Sequence, residues 1–253
     1  VINITPDSFY SGSRYTDASI VERVVREMTA EGADLIDLGA ESTRPGSEPV
    51  SGKEEMQRLQ RILPIARKST HLPISVDTYK SNVAALAIGC GASIINDISG
   101  LSFDPKMVKV IARNRASVVI MHMKGKPRTM QRNPRYNDMM HEIYSYLQDK
   151  IEYATASGIE RTRIVVDPGL GFGKRLEDNY EIIRRLEELH GLHRPIMVGH
   201  SRKSFIGKAF RLVPEQRLEG SLAVEALLIR NGASILRVHD VLEAKKVAIL
   251  IDH

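Results

Sequence analysis

The sequence predicts a single (β/α)₈ TIM barrel, and three observations carry that reading. Eight short, β-branched apolar runs recur along the chain, each closing on a polar residue or a glycine. Segments with helical spacing alternate with them. No linker, low-complexity tract or repeat divides the 253 residues, so residues 1–253 read as one domain. A doubly wound open sheet is the second choice. The hydrophobic content of 42% is enough to bury a sizeable core.

The runs cover residues 1–3, 35–39, 74–77, 94–97, 118–122, 164–167, 196–199 and 235–239. Near-continuous apolar stretches of this length suit strands buried on both faces, as in a parallel sheet. The first run is already strand-like at Val1, so that strand is read as truncated, with an upstream targeting segment left open. Between the runs, Ile20, Val24 and Met28 share a helical face after a cap at Asp17. Met56, Leu59 and Leu63 form a second stripe, which Pro64 should kink or end. Tyr180, Ile183 and Leu186 form a third, and residues 83–87, 107–112, 143–154 and 221–229 also read as helices. Each stripe is assigned to core packing.

Charged residues make up 26% of the chain, and apolar blocks run throughout, which excludes a disordered chain. The net charge of +5 describes a solvated surface or a local site for anions. No Lys/Arg run with interleaved aromatics supports nucleic-acid binding. The single cysteine, Cys90, cannot form an internal disulfide, so a reducing, cytoplasmic setting is expected. No apolar run reaches the roughly 18 residues of a membrane span.

The strand-end residues are Asn3, Asp77, Asn96, Asp167, Arg237 and His239. Singly, an Asp or Asn after a strand is as well explained by a helix cap or a turn. In a barrel, however, all six converge on one mouth. Asp and Asn can hydrogen-bond the amide and amino edge of a planar heterocycle. Arg237 can stack on a ring or grip a phosphate. A histidine beside an arginine favours an anionic leaving group.

Four loops follow strands. Residues 167–174, Asp-Pro-Gly-Leu-Gly-Phe-Gly-Lys, fit neither a Walker A nor a dinucleotide fingerprint, so a tight strand-to-helix turn competes with a phosphate loop. Residues 199–204, Gly-His-Ser-Arg-Lys-Ser, place two cations and two hydroxyls before a helix start, suited to an anion. In residues 41–46, Glu-Ser-Thr-Arg-Pro-Gly, the Ser-Thr-Arg triplet can bind a phosphate. Residues 3–9 are rich in hard oxygen ligands of the kind that suit Mg²⁺, and no His/Cys cluster has zinc spacing.

Eight motifs together resemble the dihydropteroate synthase family, pterin-binding (β/α)₈ barrels. They lie at residues 3–9, 41–46, 75–78, 95–97, 121–123, 167–174, 201–207 and 237–240, nearly the whole chain in family order. The resemblance implies that Asp77, Asn96, Asp167 and Lys203 bind a pterin ring and that Arg237 stacks on it. It implies that Asn3 helps hold Mg²⁺ on a pyrophosphate, with Arg44, Arg237 and His239 receiving phosphate oxygens. Thr43, Pro45, Phe172, Lys203, Ser204 and Phe9 would shape a p-aminobenzoate site. The implied reaction joins 7,8-dihydropterin-CH₂-pyrophosphate to p-aminobenzoate, with Asp77, Asp167, Lys203 and Arg237 as the catalytic set. A homodimer and competition by sulfonamides, which mimic p-aminobenzoate, are also implied.

Two positions depart from the family pattern. Ser11 stands where a carboxylate often orders the first loop or its metal, and Ala40 where glycine is common. Three rival readings accompany the main one. A corrinoid-dependent pterin methyltransferase would share the pterin-reading residues but has no need of the 41–46 and 201–204 loops. A catalytically silent pterin-binding homologue draws slight support from Ser11. A basic anion- or nucleic-acid-binding module rests on net charge alone.

Overall fold

The computed structural model describes residues 1–4, 18–42 and 46–253. Eight parallel strands fall on the runs read from sequence, with β5 starting one residue early: β1 (Ile2–Asn3), β2 (Ile36–Gly39), β3 (Ile74–Asp77), β4 (Ile94–Asp97), β5 (Ser117–Met121), β6 (Ile164–Asp167), β7 (Met197–Gly199) and β8 (Ile235–Arg237). Strands β1 to β6 pair in sequence order, and β7 pairs with β8. Two contacts close the ring. Val166 bridges Ile196 between β6 and β7, and the Val1 nitrogen donates to the Val238 carbonyl at 2.8 Å, joining the end of β8 to β1. The sheet is therefore a (β/α)₈ barrel, not the open doubly wound alternative.

Among the described residues the helices are α1 (Ala18–Ala30), α2 (Gly52–Ser69), α3 (Ser81–Gly89), α4 (Met107–Asn114), α5 (Met139–Ala156), α6 (Leu176–Arg184), α7 (Ser204–Lys208), α8 (Leu218–Arg230) and α9 (Val241–Asp252). Helices α1 to α4 pack in succession outside the strands, as do α6 to α9, and Lys245 of α9 lies against Gly32 and Asp34 just beyond α1. The first and last helices thus meet, as the first and last strands do. No helix of the described residues is long and apolar enough to cross a membrane.

One helical expectation is corrected and a second narrowed. On α1 the buried face is Val21, Val24, Val25 and Met28, while Ile20 is exposed. Ile20 shares the 3.6 period with Val24 but falls on the edge of the stripe, and the Val21–Val25 pair is what meets the sheet. Asp17 lies outside the described residues. Pro64 does not end α2, which runs on to Ser69. Pro64 and Gln60 are both exposed, so the carbonyl that loses its partner faces water. Leu59, Ile62, Leu63 and Ala66 hold both halves of the helix on the barrel. The third stripe holds, although its last member, Leu186, lies beyond α6 in a 3₁₀ turn.

Register sets the height of the polar residues. Asn3 pairs with Gly39, Gly39 with Asp77, and Asp77 with Asn96. Four adjacent strand ends therefore stand at one level, at the carboxyl mouth of the barrel. On the other side Gly199 pairs with Arg237.

Candidate active site

Arg237 is the electrostatic centre of this mouth. Its guanidinium donates to Asp37 Oδ2 at 2.8 Å and to Asp77 Oδ2 at 3.0 Å. Burial opposes its charge, but the two carboxylates raise its pKa above the usual arginine range. Gly199 leaves space for it. A side chain there would lie 3.6 Å from Lys203 Nζ and 3.8 Å from Arg237 Cδ, so the two cations converge over this glycine.

Asp77 Oδ2 is held, but Asp77 Oδ1 and the Asn96 Oδ1 beside it are buried without a hydrogen-bond partner. A buried acceptor without a donor costs about 1–3 kcal/mol. Two of them, adjacent and at the mouth, form a receptor for a ligand edge that carries N–H donors. Burial lifts the Asp77 carboxyl to about 7, against the pull of Arg237 and with the charge of Asp37 adding to the lift.

Asp167 closes β6. Its Oδ1 accepts from the Gly169 N–H at 2.7 Å, while burial raises its pKa and the Lys203 charge opposes the rise. Lys203 Nζ donates to the Leu170 carbonyl at 2.6 Å and stands 4.8 Å over the Phe172 ring. Burial pulls the ammonium down to about 8, with Asp167 the largest opposing charge. Ser204 follows, exposed, as the first residue of α7. Lys203 therefore stands over the Phe172 ring while its charge acts on Asp167.

The 167–174 segment is a tight turn rather than an anion cradle. Gly169 N–H goes to Asp167, Gly171 N–H to Asn179 Oδ1 at 2.6 Å and Phe172 N–H to the Gly169 carbonyl at 3.1 Å. Those amides are spent inside the protein. Gly169 is required because its φ is +69° and a Cβ there would collide with the His122 carbonyl.

In the 199–204 segment only one cation faces the mouth, which corrects the expectation of two. Arg202, at φ +53°, turns away. It makes a bidentate pair with Asp240, both contacts at 2.8 Å, and donates to the Pro214 and Glu215 carbonyls. Its neighbour Ser201 meets His239, with Oγ 3.0 Å from Nδ1. Burial, reinforced by surrounding cations, holds the His239 imidazole well below its usual pKa. His239 thus offers the mouth a hydrogen-bonding ring held by Ser201. His200 is fully buried behind the loop, its Nε2 3.4 Å from Glu225 Oε2.

The neck of the loop after β2 is tied by a buried charge cluster. Lys80 Nζ lies 2.7 Å from Glu41 Oε2 and 2.6 Å from Glu55 Oε2. Glu41 Oε1 accepts from Tyr79 Oη at 2.8 Å and from the Val50 N–H at 2.9 Å. Glu41 thus joins both ends of that loop to β3. Thr43, Arg44, Pro45, Phe9 and Ser11 lie outside the described residues. Among the described residues no group of three His, Cys, Asp or Glu side chains could hold a metal on its own. Asn3 Oδ1 stands at the mouth, 3.4 Å from where a Gly39 side chain would lie.

Sequence reasoning gave no individual role to Asp37, Glu41 or Lys80. Asp37 did leave a signal, as a carboxylate in the middle of an apolar strand. The other two act through partners distant in sequence.

Comparison with known proteins agrees with this geometry. The family model described as "Pterin binding enzyme" matches residues 1–239. The dihydropteroate synthase of Bacillus subtilis (strain 168) is 42% identical over 252 residues, covering 100% of this chain and 86% of its own. A crystal structure of Yersinia pestis dihydropteroate synthase with a sulfonamide drug complex superposes with a TM-score of 0.95 at 38% identity, covering 99% of this chain and 90% of that one. The Xanthomonas albilineans dihydropteroate synthase with 4-aminobenzoic acid gives a TM-score of 0.91 at 38% identity, over 99% and 90% of the two chains.

Proposed function

From the premise that this chain belongs to the pterin-binding enzyme family, among its dihydropteroate synthases, we propose how its residues divide the reaction between two substrates. The enzyme is a transferase that condenses 7,8-dihydropterin-CH₂-pyrophosphate with p-aminobenzoate to 7,8-dihydropteroate and pyrophosphate. The observation that carries the residue assignment is the pair of unpartnered buried acceptors, Asp77 Oδ1 and Asn96 Oδ1. The amino and ring N–H groups of a pterin are the donors they lack.

Asp77, Asn96 and Asp167 read the pterin edge, Lys203 donates to it from the other side, and Arg237 covers the ring. When pyrophosphate leaves, the methylene becomes cationic, and the carboxylates of Asp77 and Asp167 stabilise that charge. Arg237 and His239, with Arg44 from the loop after β2, receive phosphate oxygens. Phe172, Lys203 and Ser204, with Thr43, Pro45 and Phe9, bound the arylamine. The amine then attacks the methylene carbon, and no covalent nucleophile is needed. The Yersinia pestis relative was solved with a sulfonamide drug and the Xanthomonas albilineans relative with 4-aminobenzoic acid, which supports one shared arylamine pocket.

Mg²⁺ fits Asn3 in one specific way. A single neutral carboxamide oxygen suits an ion that keeps most of its waters and takes its remaining ligands from phosphate. When bound, the ion would neutralise charge on the departing pyrophosphate. Purified protein with Mg²⁺, the pterin pyrophosphate and radiolabelled p-aminobenzoate should yield labelled dihydropteroate. EDTA should abolish the yield and added Mg²⁺ restore it. No product from well-folded protein would refute the assignment and leave the silent-homologue reading.

The assembly we propose is a homodimer through the exposed apolar residues of α8 and α9, Leu227, Leu242, Ile249 and Leu250. Light scattering should give twice the chain mass, and Leu250→Glu should shift it toward the monomer. A monomeric parent at micromolar concentration would refute the dimer.

A further inference from the structure

Four consecutive carbonyls in the turn after β6 each accept a hydrogen bond from a side chain. Lys203 holds Leu170 at 2.6 Å, Gln131 holds Gly171, Lys174 holds Phe172 at 3.1 Å and Tyr136 holds Gly173 at 2.7 Å. This turn has three glycines at positive φ, Gly169, Gly171 and Gly173. Glycines give a turn wide backbone freedom, which the buried Leu170 and these side-chain donors restrict. Phe172, between two of these glycines, is placed in part by those donors.

Two of the four donors, Gln131 and Tyr136, belong to the connection between β5 and α5. That connection is itself anchored. Lys124 Nζ donates to the Arg135 carbonyl at 2.6 Å and to Glu142 at 2.8 Å, and it stands 4.1 Å over the Tyr136 ring. Met130 is buried beneath it. Elsewhere the connection reaches the loop after β2, where Gly46 N–H donates to the Pro127 carbonyl at 3.4 Å and Arg128 lies 4.0 Å from Glu48. Strands β2 and β6 are four apart in a ring of eight, hence on opposite sides of the barrel. A segment that touches the loops of both spans the mouth.

We propose that the β5–α5 connection is a strap across the barrel mouth, and that Gln131 and Tyr136 are positioning residues that place Phe172 for the arylamine substrate. The proposal rests on the assignment of Phe172 to the p-aminobenzoate side of the site. Gln131 and Tyr136 act on the arylamine only through Phe172.

Tyr136→Phe keeps the ring and its contact with Lys124 but removes the O–H, and Gln131→Leu removes the other donor. Each should raise KM for p-aminobenzoate about fivefold, one net hydrogen bond's worth, with kcat and pterin pyrophosphate affinity held within about twofold. The double variant should raise it further while melting close to the parent. An unchanged KM in a folded double variant overturns the proposal. So does a parallel loss of affinity for both substrates, which would make the strap a general stabiliser. If the parent makes no product, the functional reading fails instead. Equilibrium binding of p-aminobenzoate in the presence of pterin and pyrophosphate then tests the strap without turnover.

Discussion

Asp77→Asn should lower kcat by about 10²–10³-fold, the loss typical of removing one electrostatic stabiliser from a buried site. The amide can still present an oxygen to the pterin edge, so pterin affinity should fall much less than kcat. What disappears is the negative charge beside the developing methylene cation. Stability should move the other way. The Asp77 carboxyl lies above its usual value of 3.8, at about 7, chiefly through burial. Its favourable contribution is therefore complete below about 3.8 and is lost as pH rises through about 7. At pH 8 the wild type carries an ionised buried carboxylate, and the variant does not. Arg237 keeps Asp37, 2.7 Å away. The variant should melt no lower than the wild type at pH 8 and lose ground as pH falls toward 4. Activity within a few-fold of wild type, with intact pterin binding, would remove Asp77 from the catalytic set.

The barrel was legible in the sequence because its strands are buried on both faces. A strand such as residues 164–167, Ile-Val-Val-Asp, has an apolar run with no solvent side to interrupt it, and the polar residue that ends it marks the mouth. Asp77 and Asn96 could therefore be placed together from pattern alone, since parallel register fixes their height, whereas Asp167 stands two residues further along, level with Met121. What could not be read was which partners cross the barrel. Arg237 finds Asp37 and Asp77 at separations of 200 and 160 residues. Nothing local in residues 201–204 tells Arg202 from Lys203. The choice is made by a left-handed backbone at Arg202 and by Asp240, 38 residues on. The same holds for Ile20 on α1, where period alone leaves the edge of the buried stripe undecided. Pro64 does not end α2 because its lost hydrogen bond falls on the exposed face of the helix, where water replaces it.

Arg237→Met should cost both activity and fold. The side chain bridges two buried carboxylates, and removing it leaves Asp37 Oδ2 and Asp77 Oδ2 facing each other without a cation. Breaking a buried pair in this way costs about 3–5 kcal/mol. Part of that loss can be relieved by protonation. Arg237 is the main charge holding the Asp77 pKa down, so without it the folded state takes up a proton more readily. The penalty should accordingly be largest at pH 8 and shrink as pH falls through about 7. Urea unfolding at pH 6 and pH 8 reads this directly, and a penalty that grew on acidification would contradict the pairing. Arg237→Lys separates the two roles. A lysine restores a positive charge between the carboxylates but has neither the planar surface to cover a pterin nor the fork to grip two oxygens. It should recover much of the stability and little of the turnover. The double variant Asp37→Asn with Arg237→Met should also regain stability relative to Arg237→Met alone, because one of the two stranded charges is gone. It should remain inactive, since the cation assigned to the pterin ring and the pyrophosphate is still missing. Recovery of turnover in that variant would show that the cation serves the fold and not the reaction.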